Sequence, residues 1–136
     1  MRKLGIDFGD ARIGLALSDP LGMIASGLET LKSAGLEKDT DYISNLCKNN
    51  NVDTIVLGLP LNMDGSSGVR VEKTKIFAEK LKQKTGLKIE FVDERLTTVE
   101  SEKMLIDAGR KREKRKEVID KISAIIILQN YLNRKF

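Results

Sequence analysis

Leu4-Gly-Ile-Asp-Phe-Gly-Asp-Ala-Arg-Ile-Gly-Leu-Ala-Leu-Ser18 is the stretch whose reading decides the fold. Leu4 and Ile6 alternate with Gly5 and Asp7, the period-two signature of a strand, and a tight turn at Gly9-Asp10 leads into a second strand over 12–18. Asp7 is out of place for structure alone. Aspartate disfavours strands, and an ionised group facing a core must be paired or bind a metal. Gly5 and Gly9 on either side remove side chains, so another backbone or a ligand can approach closely. Two readings of Asp7 stand at this point: a residue that opens the turn through its side-chain oxygen, or a functional carboxylate.

Outward from this hairpin, Asp19-Pro-Leu-Gly22 carries Asp, Pro and Gly at the first, second and fourth positions of a type I turn. A third strand over about 23–31 completes an antiparallel meander. The pattern then changes. Leu36, Ile43, Leu46 and Cys47 share one face of a helix that stops near Asn49-Asn-Asn51. Thr54-Ile-Val-Leu57 is continuous apolar strand of the kind buried on both faces in a parallel sheet. A loop over 58–68 precedes a helix with Val71, Thr74, Phe77, Ala78 and Leu81 on its inner face, ended by Gly86. Residues 88–93 form a fifth strand. Thr97-Thr-Val-Glu100 is a capping box opening a helix that Gly109 closes, and a last helix runs over about 116–132. The fold expected is α/β: one domain over residues 1–136, with a mixed five-stranded sheet, three antiparallel strands then parallel ones, and helices on both faces.

Composition removes whole classes of chemistry. The 136 residues are enough for one core and too few for two full lobes. With 40% hydrophobic and 32% charged residues the chain reads as a soluble globular protein, and its longest apolar run, Ala-Ile-Ile-Ile-Leu from 124 to 128, is far short of a membrane span. Met1-Arg-Lys-Leu-Gly-Ile-Asp has no apolar stretch of signal-peptide length, so the expected location is the cytoplasm, away from membranes. The single cysteine, Cys47, permits no internal disulfide and no thiolate metal cluster; among apolar neighbours it reads as a small buried hydrophobe. The chain has no histidine, which excludes Ser-His-Asp and Cys-His nucleophile systems, His-based zinc sites and an imidazole base. Catalysis must run on carboxylates, Lys, Tyr, hydroxyls or a metal held by oxygen.

The formal charge of +4 is concentrated. Residues 110–117 read Arg-Lys-Arg-Glu-Lys-Arg-Lys-Glu, six basic and two acidic, and removing them from 24 basic and 20 acidic residues leaves 18 of each. A patch of this kind on a balanced domain suits contact with a phosphate backbone, although many such runs are only solvated loops.

The fifth strand ends Phe-Val-Asp93-Glu94, where open sheets with parallel strands place their ligands. Alternation puts Asp93 and Glu94 on opposite sides, so one of them at most shares a site with Asp7. Asp120 heads an apolar stripe with Ala124, Ile127 and Tyr131 on the last helix; dipole complementation is its plainer explanation. Taken together, Asp7, Glu94 and Asp120 lie on a first strand, a later strand end and a final helix. Carboxylates brought close repel unless a cation neutralises them, and hard oxygen ligands select Mg²⁺ or Mn²⁺.

Four motifs in order, Gly5-Ile-Asp-Phe-Gly-Asp-Ala-Arg-Ile-Gly14, Gly58-Leu-Pro-Leu-Asn-Met-Asp-Gly65, Asp93-Glu-Arg-Leu-Thr-Thr98 and Asp120-Lys-Ile-Ser-Ala124 with Leu128-Gln-Asn-Tyr-Leu132, resemble the YqgF (RuvX) family nearly end to end. The resemblance implies an RNase H-like fold related to the RuvC resolvases. It also implies a metal-dependent nuclease that matures the 5′ end of pre-16S rRNA in ribosome biogenesis, or, alternatively, resolves Holliday junctions. By matching position, the family's catalytic and metal-binding acids fall on Asp7, Glu94 and Asp120. RuvC-type sites carry a fourth carboxylate one turn beyond the third, where this chain has Ser123 and Ala124.

The remaining parts take expected roles in nucleic-acid binding: Arg12 and Arg95 beside the acidic motifs, to position the backbone or simply to neutralise those acids; Asn62 in the glycine-bearing loop, which otherwise is a plain connection; and Arg110, Lys111, Arg112, Lys114, Arg115 and Lys116 as a mobile basic arm hinged at Gly109. Aromatic residues are only 4% and Trp is absent, so base stacking is not advertised and backbone and shape contacts should dominate. Structured RNA ranks ahead of branched DNA as the partner, with ribosomal precursor particles as its setting. Two rivals from other classes remain. The Gly-Ile-Asp-Phe-Gly start also resembles the first phosphate loop of actin-like ATPases and sugar kinases, which need two lobes; and a non-catalytic RNA-binding assembly module would keep the acids for metal and RNA binding alone.

Overall fold

The computed structural model describes residues 1–61, 68–94 and 112–134, with side chains of the last helix described from 119 onward. The elements are β1 (Arg2–Phe8), β2 (Arg12–Ser18), β3 (Ala25–Lys32), α1 (Leu36–Asn49), β4 (Val52–Leu59), α2 (Val69–Thr85), β5 (Lys88–Asp93) and α3 (Arg112–Asn133). The strands form one sheet in the order β3-β2-β1-β4-β5. β1, β2 and β3 pair antiparallel, whereas β4 runs parallel to both β1 and β5. This is the mixed five-stranded arrangement expected from the sequence. Among the described residues, no helix is long and apolar enough to cross a membrane.

Local chemistry sets the element ends. Asp19 accepts hydrogen bonds at Oδ1 from the Met23 and Ile24 amides at 2.7 and 3.0 Å, while the Gly22 amide donates to its carbonyl. Met23 and Ile24 therefore belong to the turn, and β3 starts at Ala25 rather than at 23. The Gly86 backbone is left-handed at φ 66°, and its amide closes α2 on the Lys82 carbonyl at 2.8 Å, an end that glycine reaches without strain. The last helix begins at Arg112, not near 116. The segment expected to be a mobile arm thus supplies helical turns from 112 onward, and the reason lies in its composition: Arg, Lys and Glu are strong helix formers, and their charge does not break the helix. The helix expected between Thr97 and Gly109 lies outside the described residues.

Each face of the sheet has its own core. On one, Leu4, Ile6, Ile13, Leu15, Ile55 and Leu57 pack against Ile43 and Cys47 of α1 and Phe77, Ala78 and Leu81 of α2. Burial pushes the Cys47 thiol up to about 12, in keeping with a small core residue. On the other face, Ala16, Val56 and Val92 meet Ala124, Ile127, Leu128, Tyr131 and Leu132 of α3. Here glycines replace the large aliphatics. A Cβ on Gly5 would stand 2.6 Å from Leu128 Cβ and 2.9 Å from the Ala124 carbonyl, and a Cβ on Gly14 would overlap the Asp120 carbonyl group. The helix lies with its main chain against the main chain of the strands.

Candidate active site

Because β1, β4 and β5 are parallel, their carboxyl ends open on one edge of the sheet. Asp7 is the penultimate residue of β1, and Glu94 follows the last residue of β5. Val92 is buried under α3, so alternation returns Glu94, two residues on, to the α3 face and sends Asp93 to the other. Gly58 follows Leu57, the β4 partner of Ile6, and lies between the two acids. A Cβ there would stand 2.7 Å from Glu94 Cγ and 2.8 Å from its Oε1. Glu94 therefore reaches across the bare backbone of Gly58 to Asp7.

The Asp7 carboxyl is hydrogen-bonded to that of Glu94, an arrangement that favours the protonated form of Asp7. Withdrawal from water, then the hydrogen bond and charge of Glu94, push Asp7 up to about 8 from an ordinary value of 3.8, against a smaller opposing pull from Arg70. Phe8 stacks on Phe77 with ring centroids 4.3 Å apart, which ties α2 to the end of β1 and brings Arg70, in the first turn of α2, near Asp7.

Asp120 reaches the same edge from α3. Its main chain rests on Gly14, the cross-strand partner of Asp7. The Arg12 guanidinium at the start of β2 donates from Nε to Asp120 Oδ2 at 2.9 Å, with the side chains 32% and 20% exposed. Burial raises the Asp120 carboxyl, the Arg12 hydrogen bond holds it down, and the charge of Asp7 raises it again; the net direction is up. Asp7 and Glu94 are thus in direct contact, while Asp120 feels Asp7 through space and is bound to Arg12. Among the described residues, no three acidic, cysteine or histidine side chains enclose a position for an ion as they stand.

Arg12, expected either to position the nucleic-acid backbone or to neutralise the acids beside it, has its guanidinium on Asp120. Asn62, Arg95, Arg110 and Lys111 lie outside the described residues. Arg112, Lys114, Arg115 and Lys116 fall in the first turns of α3, and their side chains lie outside the description. Sequence reasoning missed Arg70. It lines a small surface cleft with Phe8, Gly9, Asp10, Lys73 and Thr74 at the end of β1. The signal was available: a helix entered directly from a glycine-bearing loop after a parallel strand puts its first-turn side chains at the functional edge.

The donor set suits a hard divalent cation. It is all oxygen, it is partly withdrawn from water, and burial pushes the carboxyls of Asp7 and Asp120 upward, a strain that a bound cation would relieve.

Comparison with known proteins agrees with this architecture. Thermus thermophilus RuvC in complex with a Holliday junction substrate superposes with a TM-score of 0.64 at 12% identity, covering 99% of this chain and 96% of that one. The fowlpox virus resolvase bound to Holliday junction DNA gives 0.60 at 12% identity, covering 98% of each chain. At such identities the likeness is one of fold. Sequence relatives are much nearer. Proteins named "Putative pre-16S rRNA nuclease" from Desulforamulus reducens and Streptococcus thermophilus are 49% and 46% identical, over 98% and 100% of this chain and 97% and 100% of theirs. The family profile of RuvX, described as Holliday junction resolvase, matches residues 1–134. With the match running almost from end to end, the chain belongs to the RuvX family.

Proposed function

We propose that this chain is a metal-dependent nuclease that hydrolyses phosphodiester bonds in structured RNA, with the 5′ end of pre-16S rRNA as its substrate. The observation that carries the reading is the Asp7–Glu94 contact at the carboxyl edge of the sheet, with Asp120 delivered beside it by α3. The names of the relatives support the substrate. Asp7, Glu94 and Asp120 would hold Mg²⁺ or Mn²⁺. Such an ion, when bound, makes water a nucleophile near neutral pH and offsets charge developing on the phosphate.

The chain's own residues do the rest. Loss of the Asp7 proton, which burial and Glu94 hold in place, would free its carboxylate to act as a ligand. Arg70 is near enough for its charge to act on Asp7, and a guanidinium there would be suited to a phosphate, which it can bind through two parallel hydrogen bonds. Arg12, Asn62, Arg95 and the basic residues Arg110, Lys111, Arg112, Lys114, Arg115 and Lys116 would hold the nucleic-acid backbone on either side of the cut. Ribosomal precursor particles in the cytoplasm would be the setting.

The test offers the purified chain a pre-16S rRNA 5′ end and a four-way DNA junction side by side, with Mn²⁺. Cleavage of the RNA that vanishes in Asp7→Asn is the expected result. Cutting of the junction alone would transfer the reading to resolvase activity, which the RuvX profile description favours. Tight RNA binding with no turnover of either substrate would reduce the chain to a binding module.

A further inference from the structure

We infer that Arg12 is a latch that competes with a divalent cation for Asp120: to take its place beside Asp7 and Glu94, the Asp120 carboxylate must leave the guanidinium. The inference rests on the metal-nuclease reading above and concerns how its third ligand is supplied.

The geometry divides Asp120 into a fixed part and a free part. Its main chain is seated on Gly14, and the next helical turns are locked by Leu128 against Gly5 and by the buried Ala124 and Ile127. α3 cannot slide without driving main chain into main chain. Only the two side-chain torsions of Asp120 remain, and Arg12 holds their present setting at 2.9 Å. In that setting no group of three acids among the described residues encloses an ion, although Asp7 and Glu94 are already together. The missing element is therefore a rotation about Asp120 and not a movement of the fold. Arg12 is itself anchored at the first residue of β2, opposite Lys32. Once released it stays at the rim of the site as an unneutralised guanidinium, a group suited to a phosphate of the incoming backbone. Occupancy by the cation and availability of Arg12 for substrate would then be linked, each favouring the other.

The experiment measures Mn²⁺ affinity by calorimetry on the full chain, without nucleic acid, for the parent, Arg12→Gln, Arg12→Lys, Asp120→Asn and the Arg12→Gln/Asp120→Asn double variant. A part-exposed ion pair is worth up to about 1 kcal/mol, so Arg12→Gln should bind Mn²⁺ about fivefold more tightly. Arg12→Lys, which keeps a cation beside Asp120, should stay within about twofold of the parent on the same scale. In the Asp120→Asn background the Arg12→Gln change should have no effect, because the latch has nothing to hold. Tightening that persists in that background would overturn the latch in favour of a general charge effect. Weaker or unchanged binding by Arg12→Gln would overturn it in favour of Arg12 orienting Asp120 as a ligand. A parent chain that takes up no Mn²⁺ would overturn the nuclease reading itself, a result distinct from either.

Discussion

The two faces of the sheet are made from the same strands and are built in opposite ways. Toward α1 and α2 the strands present Leu4, Ile6, Ile13, Leu15, Ile55 and Leu57, an interior filled by side chains. Toward α3 they present Gly5, Gly14, Ala16, Val56 and Gly58, and main chain meets main chain. The first face holds the domain together through apolar burial. The second keeps a core of its own, supplied mostly by α3, and the small strand residues let that helix come close enough to set Asp120 near Asp7. The pleat of one sheet gives both faces a core, and the candidate acids to the α3 face alone.

The sharpest way to break the comparison is at the acids. Asp7→Asn should lower metal-dependent cleavage by on the order of 10³-fold, about 4 kcal/mol in the barrier, while the thermal midpoint measured by calorimetry holds or rises because a repelling carboxylate is gone. Leu81→Ala, on the filled face, should do the reverse: a loss of about 2–5 kcal/mol in denaturant unfolding, with Mn²⁺ affinity of the folded protein near the parental value. Gly14→Ala tests the bare face. Its added methyl forces α3 away from the sheet, a strain of about 1–3 kcal/mol, and cleavage should fall by more than that stability change explains. Equal losses would mean that the glycine face is ordinary packing.

Acidity sharpens the contrast further. The unfolded chain releases the Asp7 proton near its ordinary 3.8, whereas the folded chain keeps it until about 8. Between those values the native state binds the extra proton, so stability should fall as pH rises across the window and level off above it. Denaturant midpoints taken from pH 4 to 9 check the sign, and Mn²⁺ should flatten the decline by replacing the proton. The smallest effect concerns neither face. Neutralising Arg112, Lys114 and Arg115 together should weaken RNA binding and reduce its salt slope by about 3, if all three meet phosphates. An unchanged slope would remove the start of α3 from the interface.

Much of this was legible in the sequence because the pattern is local. The alternation Leu4-Gly-Ile-Asp7, the Asp19 turn, the Gly86 stop and the apolar run of β4 each report a backbone preference within a few residues. That one acid of the Asp93-Glu94 pair would join Asp7 was legible for a different reason, since parallel strands share a carboxyl edge; the choice of Glu94 came from the family resemblance. What failed to show was anything set by a side chain reaching beyond its neighbours. The start of β3 moved because Asp19 captured two amides further along the chain. α3 began early because a run of charge was read for its solubility and not for its helix propensity. The grip of Arg12 on Asp120 spans 108 positions in sequence, and no local pattern encodes it.

The seat of α3 on Gly14 has a consequence for what this scaffold can become. The distance from Asp7 to the helix that bears Asp120 is set where the Asp120 main chain meets Gly14, the partner of Asp7 on the next strand, and it is as short as two peptide backbones in contact allow. It acts as a ruler built into the polymer itself. The groups mounted at either end of that ruler can be exchanged while it holds, and a side chain at Gly14 is what would lengthen it.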